Sequence, residues 1–216
     1  MAIVTTERRF PTAGLELDGE LTLPDEATGV VLFAHGSGSS RLSPRNRLVA
    51  GALNRRGLGT LLVDLLTPDE ELKDARTRDI RFDVGLLADR LIGLTDWLAE
   101  DDRTGRLPVG LFGASTGAAA ALVCAAARPF PVRAVVSRGG RPDLAGPALI
   151  QVEAPTLLLV GSEDGPVLTL NEQARNAMTV TAEVRIVAGA THLFEEPGAL
   201  DTVAEEAGTW FTTHLN

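Results

Sequence analysis

The chain has 216 residues, 44% of them hydrophobic and only 4% aromatic, with no tyrosine and a formal net charge of −9. This length fits one domain spanning residues 1–216, and an aliphatic core of Leu, Val and Ala suits a parallel sheet held between helices. The acidic balance argues against nucleic acid or an anionic membrane surface as partner, and Arg8-Arg9 and Arg55-Arg56 are too short to make a basic patch.

In chain order, residues 7–23 alternate apolar and polar side chains around turn signals at Thr12-Ala13-Gly14 and Asp18-Gly19, which predicts short antiparallel strands. The run Gly29–Ala34 is continuously apolar, the pattern of a strand buried on both faces, and His35-Gly36-Ser37-Gly38-Ser39-Ser40 follows it. A helix is predicted over Leu48–Leu58 and a strand over Gly59–Val63. Leu87, Leu91, Leu94 and Leu98 form one apolar stripe at helical spacing. A strand at Val109–Phe112 leads into Gly113-Ala114-Ser115-Thr116-Gly117 and a small-residue helix over Ala118–Ala127. That helix carries the only cysteine, Cys124, expected to be a buried packing residue.

Further strands are predicted at Ala134–Val136 and Thr156–Val160, with a weaker one at Val184–Val187. Helices are predicted over Asn171–Met178 and Ala199–Phe211. The connection Ser137–Ala154 is short and holds Gly139-Gly140, Pro142 and Pro147, leaving no room for a helical lid, so an open, shallow site is expected. Strands alternating with helices imply an α/β fold whose mostly parallel sheet is covered on both faces, with ligands outside the carboxyl ends of the strands. No apolar run approaches the roughly 20 residues of a membrane span, and the N-terminus lacks a signal-peptide core, so a cytoplasmic protein is expected.

The residues just after the strands carry the chemistry. Gly113-Ala114-Ser115-Thr116-Gly117 matches G-x-S-x-G in a strand–turn–helix context, where a sharp turn exposes the serine and the following helix N-terminus favours developing negative charge. Ser115 is the nucleophile candidate. His192, in the loop after the last strand, is the candidate base, and Asp164 is the candidate acid, with Glu163 its close rival. The order Ser115, Asp164, His192 is that of the α/β-hydrolases. The backbone N–H groups of Ser37 and Thr116 are the expected oxyanion donors, with Gly36 or Gly38 as neighbouring alternatives to Ser37. His35 reads as a structural hydrogen-bonding residue, and His214 lies at a C-terminus expected to fray. None of the three histidines has a partner at ligand spacing, so no metal is expected, and acyl transfer of this kind requires no cofactor. Leu65, Leu66 and Leu193 are candidate apolar walls. Arg41 and Arg138 read as surface arginines paired with acids, or alternatively as holders of a substrate carboxylate.

These motifs, with Gly189-Ala190-Thr191-His192-Leu193-Phe194, resemble the α/β-hydrolase superfamily, and within it the small dienelactone-hydrolase-like proteins, over nearly the whole chain. The resemblance implies a mostly parallel sheet of about eight strands and hydrolysis of an ester or related acyl bond, and with the short Ser137–Ala154 connection no cap domain is expected, so the expected partner is a small-molecule ester substrate. Dienelactone hydrolases carry cysteine where this chain has Ser115, so the resemblance does not carry dienelactone over as the substrate. A thioesterase, acyltransferase or peptidase, or a non-catalytic binding module on the same fold, are the alternatives.

Overall fold

The computed structural model describes residues 2–215. Strands β1 (Ile3–Thr12) and β2 (Leu15–Pro24) form an antiparallel hairpin. Its two-residue turn places Ala13 at φ 45° and Gly14 at φ 78°, the backbone that matches the twist of the flanking strands. The second turn expected at Asp18-Gly19 is absent: β2 runs straight through, with Gly19 opposite Arg8 on one side and Val63 on the other. Gly19 serves packing instead, since a β-carbon there would lie 2.7 Å from the Phe10 ring.

The remaining strands are β3 (Gly29–Ala34), β4 (Leu58–Val63), β5 (Val109–Ala114), β6 (Val132–Arg138), β7 (Thr156–Gly161) and β8 (Ala182–Val187). They complete an eight-stranded sheet of order β1-β2-β4-β3-β5-β6-β7-β8, antiparallel at β1/β2/β4 and parallel elsewhere. Every residue of β3, β4, β5 and β7 is buried, which is why their sequences are almost wholly apolar, broken only by the buried Thr60 and Thr156.

Helices α1 (Pro44–Arg55) and α6 (Ala199–His214) cover one face, packing Val49, Leu53, Val203 and Phe211 on it. Helices α3 (Val84–Glu100) and α4 (Thr116–Ala127) cover the other, where the predicted leucine stripe meets the alanine-rich α4. Helix α5 (Gly165–Ala177) packs Ala174 on that same face. The predicted helices are thus present with shifted ends. Ser43 caps α1 and Pro44 opens it four residues before the expected Leu48, and Gly57 at φ 82° stops it so that Leu58 already belongs to β4. Likewise, α5 starts six residues before Asn171. The expected fraying at His214 is not seen, since α6 includes it and its ring packs 4.6 Å from that of Trp210.

Helix α2 (Pro68–Thr77), followed by a 3-10 turn at Ile80–Phe82, was not predicted. Its capping box, Thr67 with Glu70, and Pro at its first position are readable signals. It buries only Asp74, so no apolar stripe marks it. The connection after β6 forms a 3-10 segment over Pro142–Gln151 that buries Pro142, Ala145 and Leu149 and is packed into the fold as no lid would be. No helix of the described residues is long and apolar enough to cross a membrane.

Candidate active site

The turn from β5 to α4 places Ser115 at φ 51°, ψ −121°, a backbone that non-glycine residues rarely adopt and that costs on the order of 1–3 kcal/mol. Contacts on both sides hold it there. A β-carbon on Gly113 would lie 2.4 Å from Ala118 Cα, and one on Gly117 would lie 2.3 Å from the Ala34 carbonyl oxygen. The Ser115 N–H donates to the Arg138 carbonyl at 3.3 Å, and its own carbonyl accepts from Ala118 and Arg141, each at 3.1 Å. The glycines of the motif are therefore steric requirements of close packing between β5, α4 and the end of β3.

His192 and Asp164 meet across the loops that follow β8 and β7. His192 Nδ1 lies 2.6 Å from Asp164 Oδ2, with side-chain exposures of 39% and 13%. The two loops are clamped together beneath this pair. Gly161 passes so near Ala190 that a β-carbon would sit 2.2 Å from its carbonyl oxygen. The Glu163 N–H donates to that same oxygen at 3.0 Å, and the Gly189 N–H donates to Ser162 Oγ at 2.8 Å. Glu196 accepts from both the N–H and the hydroxyl of Thr191, chiefly through the hydroxyl, and its carboxyl falls below the usual range. Glu163, the rival acid, accepts from Ser162 Oγ at 3.1 Å and makes no contact with His192 among these bonds. Among the described residues no hydrogen bond joins Ser115 Oγ to His192, a link that in free enzymes is often long before substrate binds. Gly139, at φ 51°, passes beneath His192: a β-carbon there would lie 3.2 Å from the His192 carbonyl oxygen and from the Phe194 ring.

The loop after β3 meets the elbow from the other side. A β-carbon on Gly36 would lie 3.2 Å from Ser115 Cβ. The Ser37 N–H donates to Thr116 Oγ1 at 3.2 Å, so the two residues expected to supply oxyanion donors are adjacent, with the Ser37 amide already engaged. His35 is buried, its Nδ1 bonded to its neighbour's carbonyl at Gly36 (3.0 Å) and its Nε2 accepting from the Leu65 N–H (2.9 Å). Burial pushes its pKa below the ordinary value, so the ring stays neutral and ties the loop to the end of β4.

Beside this loop lies a cavity of about 390 Å³, whose lining includes Ser37, Gly38, Leu66, Glu71, Asp74 and Arg81. Helix α2 and the turn after it, unmarked by any apolar stripe, supply one wall of this cavity, whose lining takes in the loop after β3 but not Ser115, Asp164 or His192. Arg81 donates through Nε and its backbone N–H to the buried Asp74, which fixes that wall. Of the candidate apolar walls, Leu66 lines the cavity, Leu65 is core, and Leu193 is 43% exposed and lies outside this lining.

Arg41 pairs with Asp64, both through its backbone N–H at 2.7 Å and through its guanidinium. Arg138 departs from the surface-pair reading: it is buried, and none of its side-chain nitrogens has an acidic partner among the described residues. The reason lies in its position at the end of a central strand, under the loop that carries His192. Cys124 is buried in α4, and burial pushes its thiol up to about 12, which leaves it inert as a nucleophile.

The family model described as "Dienelactone hydrolase family" matches residues 17–213. A crystal structure of dienelactone hydrolase from Anabaena variabilis superposes with a TM-score of 0.97 over 99% of both chains, at 56% identity. Est1E from Butyrivibrio proteoclasticus shares the fold, with a TM-score of 0.76 over 96% of this chain and 98% of its own, at 14% identity. A Mycobacterium tuberculosis protein that carries the provisional name phosphoribosyl transferase is 58% identical over 197 residues. The match takes in 91% of this chain but 44% of that protein, so the chain spans less than half the length of this curated relative.

Proposed function

This chain belongs to the dienelactone hydrolase family, and on that premise we propose that it is a serine hydrolase cleaving a small ester or related acyl bond through an acyl-enzyme. The observation that carries the reading is the 2.6 Å contact of His192 Nδ1 with Asp164 Oδ2, at the same end of the sheet as the constrained Ser115.

In this reading Ser115 Oγ attacks the substrate carbonyl carbon while His192 Nε2 takes its proton. Asp164 accepts from His192 Nδ1–H, which fixes the tautomer and stabilises the imidazolium. The oxyanion is held by the backbone N–H of Thr116, at the first turn of α4, and by that of Ser37, which exchanges its bond to the Thr116 hydroxyl for the oxyanion. His192 then returns the proton to the leaving oxygen. Water, deprotonated by the same ring, attacks the acyl carbon; the acyl–Oγ bond breaks, and His192 returns the proton to Ser115 Oγ as the acid leaves. Every step uses groups of this chain, and the cavity beside Ser37 would receive one arm of the substrate. The phosphoribosyl transferase name belongs to the longer relative, and the hydrolase reading is for the segment described by this chain.

The test is labelling with a fluorophosphonate probe, together with turnover of p-nitrophenyl esters. Wild type should label and turn over, and Ser115→Ala should do neither. Equal labelling of the two proteins, or none of either, would remove Ser115 as nucleophile. Acyl-CoA substrates run in parallel separate an esterase from a thioesterase.

A further inference from the structure

Arg138 ends β6 beside the elbow: it pairs in register with Ala114, and its carbonyl accepts the Ser115 N–H. Strand alternation places its side chain on the same face as Ala134 and Val136, the face covered by α1 and α6. The residue is 8% exposed, and both Nε and Nη1 are fully buried without a hydrogen-bond partner among the described residues. The charge that acts on it is a second cation, Arg45 of α1, whose own Nε is also buried and unpartnered. Burial first, and Arg45 second, push the Arg138 guanidinium down to about 10, which still leaves it protonated at neutral pH. Arg45 has one acidic partner, Glu195, which accepts from Arg45 Nη1 at 2.9 Å and has a side chain 63% exposed.

A buried charge without a counter-ion is strongly unfavourable, and a guanidinium stripped of water needs acceptors for its donors. Arg45 and Arg138 against Glu195 leave one positive charge over, which calls for a monoanion. The planar fork of arginine donates in pairs to the two oxygens of a carboxylate or a phosphate monoanion, which is the chemistry such a site recognises.

We propose that Arg138 and Arg45 form a binding site for a singly charged oxyanion, and that this site, beside Ser115, receives an acidic group of the substrate. The substrate half rests on the hydrolase reading, and the anion-binding half does not.

Two measurements on the full chain separate the halves. The first is the melting temperature of wild type, Arg138→Met and Arg45→Gln in rising acetate or phosphate, against sodium chloride at matched ionic strength. Wild type should gain stability from acetate or phosphate beyond the chloride control. The gain should vanish in Arg138→Met and shrink in Arg45→Gln, a surface-side change on α1 that serves even where the first variant fails to fold. A response to acetate alone identifies a carboxylate, and a response to phosphate alone, growing as pH falls through the second phosphate ionisation, identifies a phosphate monoanion. Wild type answering neither anion better than chloride, or both variants answering as wild type does, overturns the site. The second measurement is the ratio of kcat/KM for a p-nitrophenyl ester bearing a free terminal carboxylate to that for its neutral methyl ester. Arg138→Met should lower this ratio by about ten- to a hundredfold, the loss expected for charge-assisted hydrogen bonds. An unchanged ratio overturns the substrate half. Anion binding without turnover of any ester leaves the site standing and removes the hydrolase reading. Turnover without anion binding does the reverse.

Discussion

Gly161 and Ala190 approach so closely that a β-carbon on the glycine would lie 2.2 Å from the alanine's carbonyl oxygen. This contact locks the loop that carries Asp164 onto the loop that carries His192, two residues whose side chains meet across 28 positions of sequence. Gly161→Ala must push the loops apart. Its kcat for ester hydrolysis should fall about a hundredfold, the scale for a misplacement of an ångström in a catalytic group, with the fold retained by circular dichroism. Turnover at the wild-type rate would show that the clamp does not position the pair.

The two neighbouring acids should separate cleanly. On the proposed mechanism, Asp164→Asn should lower kcat by about 10⁴, because an amide would not hold His192 in the tautomer that takes the serine proton. Glu163→Gln alters only a bond to Ser162 and should stay within a few-fold of wild type. Steady-state kinetics of both variants decide the matter, and a larger loss in Glu163→Gln would reverse the assignment.

The elbow stores strain that a serine does not need for folding. At φ 51° and ψ −121° glycine is unhindered, whereas any β-carbon is crowded. Ser115→Gly should therefore be more stable than Ser115→Ala by about 1 kcal/mol in urea unfolding, with both inactive. Equal stability of the two would place the strain elsewhere.

His35 makes folding depend on pH. Burial holds its pKa below the ordinary 6.5, so the folded ring resists a proton that the unfolded chain accepts. Its contribution is present in full above 6.5 and is lost as pH falls from 6.5 towards the lowered native value. Melting temperature should drop over that interval in wild type, and His35→Gln should flatten the drop. An identical pH profile in the variant would assign the loss to other groups.

Much of this molecule is legible from sequence because its causes are local. A strand buried on both faces is apolar at nearly every position, so β3, β5 and β7 announce themselves. The elbow is legible through Gly113, which answers to the backbone of Ala118 five positions on, whereas Gly117 answers to the Ala34 carbonyl at the end of β3, a tertiary contact. The order Ser115, Asp164, His192 follows from which residues stand after which strands.

What lies between distant segments needed the tertiary structure. Asp164 and Glu163 are adjacent and nearly equal in chemistry, and only the packed loops show the first on His192 and the second on Ser162. Helix α2 walls the cavity yet buries only Asp74, so hydrophobic periodicity could not reveal it. Gly19 reads as a turn residue until the Phe10 ring is seen against it. Arg138 reads as surface because arginine is seldom buried, and its burial follows from the α1 side of the sheet closing over a strand end. Most of the elements, and the polar residues that stand at their ends, are legible from sequence alone, because short-range sterics and burial patterns write themselves into neighbouring residues. Which of those end groups face one another was decided only by contacts between segments far apart in the chain, where a single ångström of approach selects one side chain over its neighbour.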